Sequence, residues 1–114
     1  MSNLKKNISF STTEGYLFAA AEEVVCCVAN PQGAVVYLST GEQLHSRESL
    51  SFLEGLLPEA MFFRAHNSVL VNLNHVRRWE RRRGAEHVLV LSNGLVQPLA
   101  RARRYALKIK LGIE

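Results

Sequence analysis

Aspartate is missing altogether from this chain of 114 residues, and cysteine occurs only as the adjacent pair Cys26 and Cys27. With no aspartate, no G-x-S-x-G and no phosphate-binding glycine loop, the usual parts of nucleophilic and phosphoryl-transfer enzymes are absent. A non-catalytic protein without a cofactor is expected. Successive side chains of a strand point to opposite faces, so neighbouring cysteines there can be bridged only with strain. Free thiols in a reducing compartment are expected instead. His45, His66, His75 and His87 fall at no metal-binding spacing, and no metal site is expected. No apolar run approaches the roughly 20 residues that span a bilayer, and Met1-Ser2-Asn3-Leu4-Lys5-Lys6-Asn7 has two lysines but no apolar region of a secretory signal behind them. This predicts a cytoplasmic protein that makes no membrane contact of its own.

What is present is enough apolar material for one core, 47% of residues, and a lopsided charge. One domain over residues 1–114 is expected, with residues 1–7 flexible. Residues 1–57 carry three Lys/Arg against six Glu, whereas residues 58–114 carry eleven against four. The second half therefore invites an anionic partner.

Strand signals dominate the pattern. Ile8-Ser9-Phe10-Ser11-Thr12 alternates, Thr13-Glu14-Gly15 turns, and Tyr16 to Ala20 resumes, which together predict a hairpin. Val24 to Val28 is a continuous apolar run, short for a helix, and predicts a strand buried on both faces. Asn30-Pro31-Gln32-Gly33 breaks it, and Ala34 to Leu38 pairs back. A turn at Thr40-Gly41-Glu42 leads into a predicted helix over Arg47 to Leu57, with Ser46 as N-cap, Glu48 at the positive end of the dipole and Pro58 as stop. Leu50, Leu53, Leu56 and Leu57 form its apolar stripe. Beyond it the pattern predicts one strand over Phe62 to Leu73, another over His75 to Glu80, a basic tip at residues 81–85 and a return over Glu86 to Leu91. Asn93-Gly94 turns the chain into Leu95 to Leu99. Arginine-rich residues 100–105 then lead to a short C-terminal helix.

The polar cluster Arg64, His66, Asn67 and Ser68, set against apolar Val69-Leu70-Val71, offers the charge, imidazole, amide and hydroxyl that contact phosphates and base edges. The same groups also suit a strand end satisfied by local backbone. Arg77, Arg78, Arg81, Arg82 and Arg83 read as a solubilising hairpin tip, because alternate strand residues face opposite sides. Trp79 reads as strand cover rather than as a stacking platform for bases.

Phe63-Arg64-x-His66-x-Ser68, then Val71-Asn72-Leu73, Val76, the Asn93-Gly94 hairpin and Pro98-Leu99-Ala100-Arg101 resemble the LytTR DNA-binding domain of bacterial transcription regulators, and the resemblance covers nearly the whole chain. It implies a mainly β fold of about ten strands in stacked small antiparallel sheets with one or two short helices. Loops on one side would enter successive major grooves of double-stranded DNA, with two copies pairing as a homodimer on repeated sites. Relatives of this kind usually sit behind a receiver domain or a membrane segment, so the chain is either a stand-alone regulator or an excised domain. Carried over residue by residue, the resemblance makes His66 and Asn67 the positions nearest DNA, flanked by Arg64 and Ser68. A second loop would hold Arg101, Arg103 and Arg104. The third contact falls at Asn30 to Ala34, where only Asn30 and Gln32 are available. The chain departs from the pattern at Ala100 and Ala102, which leaves open which arginine reads a base. Beside DNA binding stand two other possibilities: a protein-interaction module using exposed strand edges, and an RNA or single-strand binder using Trp79 and Tyr105.

Overall fold

Alternation of apolar and polar side chains in the first described segment produces β1 (Asn7–Thr12), with Ile8 and Phe10 buried, and β1 pairs antiparallel with β2 (Gly15–Ala20). The computed structural model describes residues 7–113. Of the seven residues expected to be flexible, Asn7 belongs to β1 and the others lie outside the described residues. The apolar run Val24–Val28 forms most of β3 (Val24–Asn30), which turns at Pro31–Gln32 into β4 (Gly33–Leu38). A short strand that the sequence pattern does not announce, β5 (Gln43–Ser46), follows on β4.

Helix α1 (Leu50–Leu56) starts later than expected, with Ser49 rather than Ser46 as N-cap; the Ser49 hydroxyl accepts from the Phe52 N–H at 3.1 Å. Ser46 belongs to β5 and donates its hydroxyl to Glu48 Oε1 at 2.7 Å. The Glu48 carboxylate in turn accepts from the Ser11 N–H at 3.1 Å, tying the first hairpin to β5 instead of complementing a helix dipole. Leu50, Leu53 and Leu57 are buried, whereas Leu56 faces outward.

The expected single strand at Phe62 to Leu73 is a hairpin, β6 (Phe62–His66) and β7 (Val69–Asn72), reversed at Asn67–Ser68. Polar side chains that bond to nearby backbone offer the chain a turn in place of continued extension, and that local chemistry decides here. Strands β8 (Val76–Arg81), β9 (His87–Leu91) and β10 (Val96–Leu99) make a meander, and a 3₁₀ turn at Arg101–Arg103 runs straight into α2 (Arg104–Leu111).

Ten strands thus form three antiparallel sheets: β1-β2, the central β5-β4-β3-β7-β6, and β10-β9-β8. Two cores lie on opposite sides of the central sheet. Phe10, Leu53, Val36 and Leu70 fill the first, beneath the β1-β2 hairpin and α1. Phe63, Val71, Leu89, Leu91 and Leu107 fill the second, beneath the meander and α2. Alternation lets β3 serve both, and a bulge between Val24 and Cys26 puts two consecutive residues on one face: Val25 and Cys26 face the second core, while Val24 and Cys27 face the first. The cysteines are free, as expected. Burial pushes the Cys26 thiol up to about 12 and the Cys27 thiol higher still, so both stay protonated.

Gly33 is required where it stands. Its φ is 148°, and an added Cβ would strike the Ser46 carbonyl oxygen and lie 2.8 Å from the Arg47 carbonyl carbon. Gly33→Ala is expected to cost about 1–3 kcal/mol of unfolding free energy, read by urea denaturation. Wild-type stability in that variant would mean that the β3–β4 turn relaxes away from Ser46 freely.

Candidate nucleic-acid interface

The turn between β6 and β7 is built by its own side chains. Arg64 donates from Nε to the His66 carbonyl at 3.1 Å and from Nη2 to the Asn67 carbonyl at 2.6 Å, while Nη1 bonds Glu54 Oε1 at 2.6 Å. The Ser68 N–H donates to His66 Nδ1 at 3.2 Å, and the Ser68 hydroxyl lies 3.0 Å from the same nitrogen. A backbone N–H can only donate, so Nδ1 is the acceptor and the neutral ring carries its proton on Nε2. The Asn67 side chain is exposed and makes no hydrogen bond among the described residues. The turn therefore offers an Nε2–H donor and a free amide, held on a fixed frame.

Two backbone bonds gather the other segments around this turn. Ala29 N–H donates to the Ser68 carbonyl at 2.9 Å, bringing the β3–β4 turn alongside. In the β6–β7 ladder Ala65 is the extra residue of a bulge, and its carbonyl accepts the Ala100 N–H at 2.8 Å, just before the Arg101–Arg103 turn. Beside the first pair lies a groove of about 420 Å³ lined by Asn30, Gln32, Arg47, Arg64 and Asn67, among others.

Residues 14–112 match the family model described as "LytTr DNA-binding domain". The chain belongs to the LytTR DNA-binding domain family. Among solved structures it is similar to the LytTR DNA-binding domain of a protein from Bacillus cereus described as a methyl-accepting/DNA response regulator, with 25% identity, a TM-score of 0.81, and coverage of 96% of this chain and 99% of that one. Comparison with curated proteins gives no match. The ten-strand, three-sheet arrangement with two short helices is the fold the resemblance implies. Among the described residues no helix is long and apolar enough to cross a membrane.

In this LytTR domain the residues singled out in the sequence do not all stand alike. His66, Asn67, Ser68, Asn30 and Gln32 come together, and Arg101 and Arg103 adjoin them through Ala100. Arg101 is exposed and Arg103 half-buried, and neither has an ion-pair partner among the described residues. The Asn30 side-chain oxygen accepts from the Gln32 N–H at 2.9 Å, which fixes that turn. Arg64 is committed to the β6–β7 turn and to Glu54, with only 17% of its side chain exposed. Arg104 is committed as well, donating from Nη2 to the Ala85 carbonyl at 2.7 Å with its Nε buried.

Arg47 is the residue that sequence reasoning passes over. Assigned to the first position of a helix, it sits instead between β5 and α1, exposed, and lines the groove beside Asn30 and Gln32. The turn that lacks a cation of its own thus has one from a distant segment. On the β8–β9 tip, Glu80 pairs with Arg78 at 2.8 Å and with Arg82 at 2.7 Å. The hydrogen bond from Arg82 is the chief cause that holds its carboxyl below the usual range.

Trp79 packs on the second core as strand cover and donates its Nε1–H to His87 Nδ1 at 2.9 Å. Desolvation first, then the charges of Arg104, Arg81, Lys108 and Arg101, lower the His87 pKa below its ordinary value of 6.5. Between that lowered value and the unfolded-chain value, the unfolded state binds a proton that the folded state does not. Stability therefore falls as pH drops below about 6.5. Urea titrations at stepped pH should show this decline weakened in His87→Gln; an unchanged decline would assign it to other groups.

Proposed function

We propose that this chain is a sequence-specific reader of double-stranded DNA in transcription regulation, entering the major groove with the β6–β7 turn and the Arg101–Arg103 turn. The observation that carries the proposal is the pair of backbone bonds, Ala29 to Ser68 and Ala100 to Ala65, that draw three polar segments onto one edge. Asn67 presents an amide able to bond adenine N6 and N7, and Arg101 or Arg103 a fork suited to guanine O6 and N7. The His66 Nε2–H, the Ser68 hydroxyl and Arg47 hold phosphates. Arg64 acts through the turn it braces. Asn30 and Gln32 lie beside it as weaker polar contacts, and Arg104 supports the helix start from behind. Two copies on repeated sites fit a short domain whose contact edge covers a limited run of base pairs.

Selection from random-sequence duplexes at physiological salt, followed by sequencing, tests the proposal. Enrichment of a short motif supports it; no enrichment overturns base reading. Within an enriched site, Asn67→Ala is expected to lose about 1–3 kcal/mol at one base pair and relax preference there. A uniform loss across all sequences would make Asn67 a backbone contact.

A second reading has an observation of its own. The uncharged strand β2 exposes Tyr16 (67%), Leu17 (43%) and Phe18 (65%), with no covering element among the described residues. Edge strands of this kind recruit other strands. Binding to a protein partner there would lack the steep salt dependence of phosphate neutralisation.

A further inference from the structure

Away from the turns just described, a cleft of about 500 Å³ opens between the meander and α2, lined by Trp79, Arg81, His87, Lys108 and Ile113. Its volume lies within the range of small-molecule sites. The register Arg81↔His87 and Trp79↔Leu89 sets an arginine, an imidazole and an indole side by side on one sheet face, and Lys108 and Ile113 close the opposite wall. Arg81 and Lys108 have no carboxylate partner among the described residues, unlike Arg78 and Arg82 on the same hairpin. The His87 Nδ1 and the Trp79 Nε1–H satisfy each other, so the cleft offers His87 Nε2 as a further donor. Two cations, one donor and apolar walls from an indole and an isoleucine match a planar ring joined to a doubly negative group.

We propose that this cleft binds a small aromatic phosphate, the chemistry of a free mononucleotide. The ring packs against Trp79 and Ile113, and the phosphate dianion lies between Arg81 and Lys108. The opposite wall is α2, the helix that begins directly after the Arg101–Arg103 turn. Occupancy of the cleft therefore bears on the helix that directly follows part of the candidate DNA edge.

Trp79 is the one tryptophan of the chain, so its indole N–H gives a single resonance that reports on the cleft. Adenosine monophosphate is expected to shift that cross-peak saturably. Adenosine, which lacks the phosphate, and inorganic phosphate, which lacks the ring, should each bind at least about tenfold more weakly. The double variant R81Q/K108Q, at exposed positions that leave the fold intact by its dispersed spectrum, should lose the response to the same degree. A shift that never saturates, equal responses to adenosine and its monophosphate, or an unchanged response in R81Q/K108Q would overturn the proposal. A single-stranded oligonucleotide distinguishes the other source of this chemistry. If it saturates the same cross-peak more tightly than the mononucleotide, and the double variant abolishes that, the cleft is a strand-binding surface and not a nucleotide site.

Discussion

Replacing Asn72 by leucine is expected to lower the unfolding free energy by about 2–4 kcal/mol, because the side chain keeps its size but loses its donor and its acceptor, leaving the buried Val24 carbonyl and the Asn74 N–H without their partner. Asn72 is wholly buried at the end of β7. Its amide donates to the Val24 carbonyl at 2.9 Å, and its oxygen accepts from the Asn74 N–H at 2.9 Å, capping the 3₁₀ turn Leu73–His75. Val24 lies beyond the β3–β7 ladder, which begins at Cys26, so strand pairing with β7 does not replace that bond. Asn72→Asp keeps the acceptor but sets a carboxylate oxygen against the Val24 carbonyl, so it adds a buried charge to the lost bond. Urea denaturation of the three proteins at neutral pH should place both variants below wild type, with Asp at least as destabilised as Leu. A loss below about 1 kcal/mol for leucine would show that water or a shifted strand satisfies both groups.

The triple variant R47Q/R101Q/R103Q is expected to weaken DNA binding about 100-fold or more at physiological salt, and to reduce the slope of log K against log salt by about 2–3. These three cations are exposed or half-exposed beside the Asn67 turn and have no carboxylate partner among the described residues. Arg82→Gln and Arg104→Gln serve as contrasts. Arg82 is paired with Glu80 and Arg104 with the Ala85 carbonyl, so each should change the salt slope little. Equal losses from all the arginines would mean that binding follows net charge and not the arrangement of the edge.

Much of this architecture was legible from pattern alone. The alternation in Ile8–Thr12 and the two-sided burial of Val24–Val28 each follow from one local rule and are found where that rule places them, whereas Asn93-Gly94 turns the chain in a four-residue connection with positive φ at Gly94 alone, not in the two-residue turn its sequence suggests. Two kinds of feature escaped. Turns made by side chains bonding to nearby backbone, as at Asn67–Ser68, leave no break in hydropathy, so a hairpin read as one strand. Strand β5 has only four residues, and its last residue Ser46 and the nearby Glu48 imitate a helix start while in fact holding each other and Ser11. Most of the candidate residues named from the sequence lie near one another, yet their availability was not legible. Whether an arginine is free or committed depends on carbonyls and carboxylates brought in by folding: Glu54 for Arg64, Ala85 for Arg104. Arg47 was hidden for the same reason, because its neighbours Asn30 and Gln32 are distant in the chain.

The position of β3 between two cores has a consequence for how the molecule comes apart. With one strand lending side chains to both cores, neither outer layer can detach without laying bare a face of the strand that the other layer needs. Melting of the β1-β2 hairpin or of the meander alone would leave one face of the shared sheet in water, which raises the free energy of such a half-open state. A single cooperative unfolding transition of the three sheets is therefore expected, with the polar edge lost in the same step.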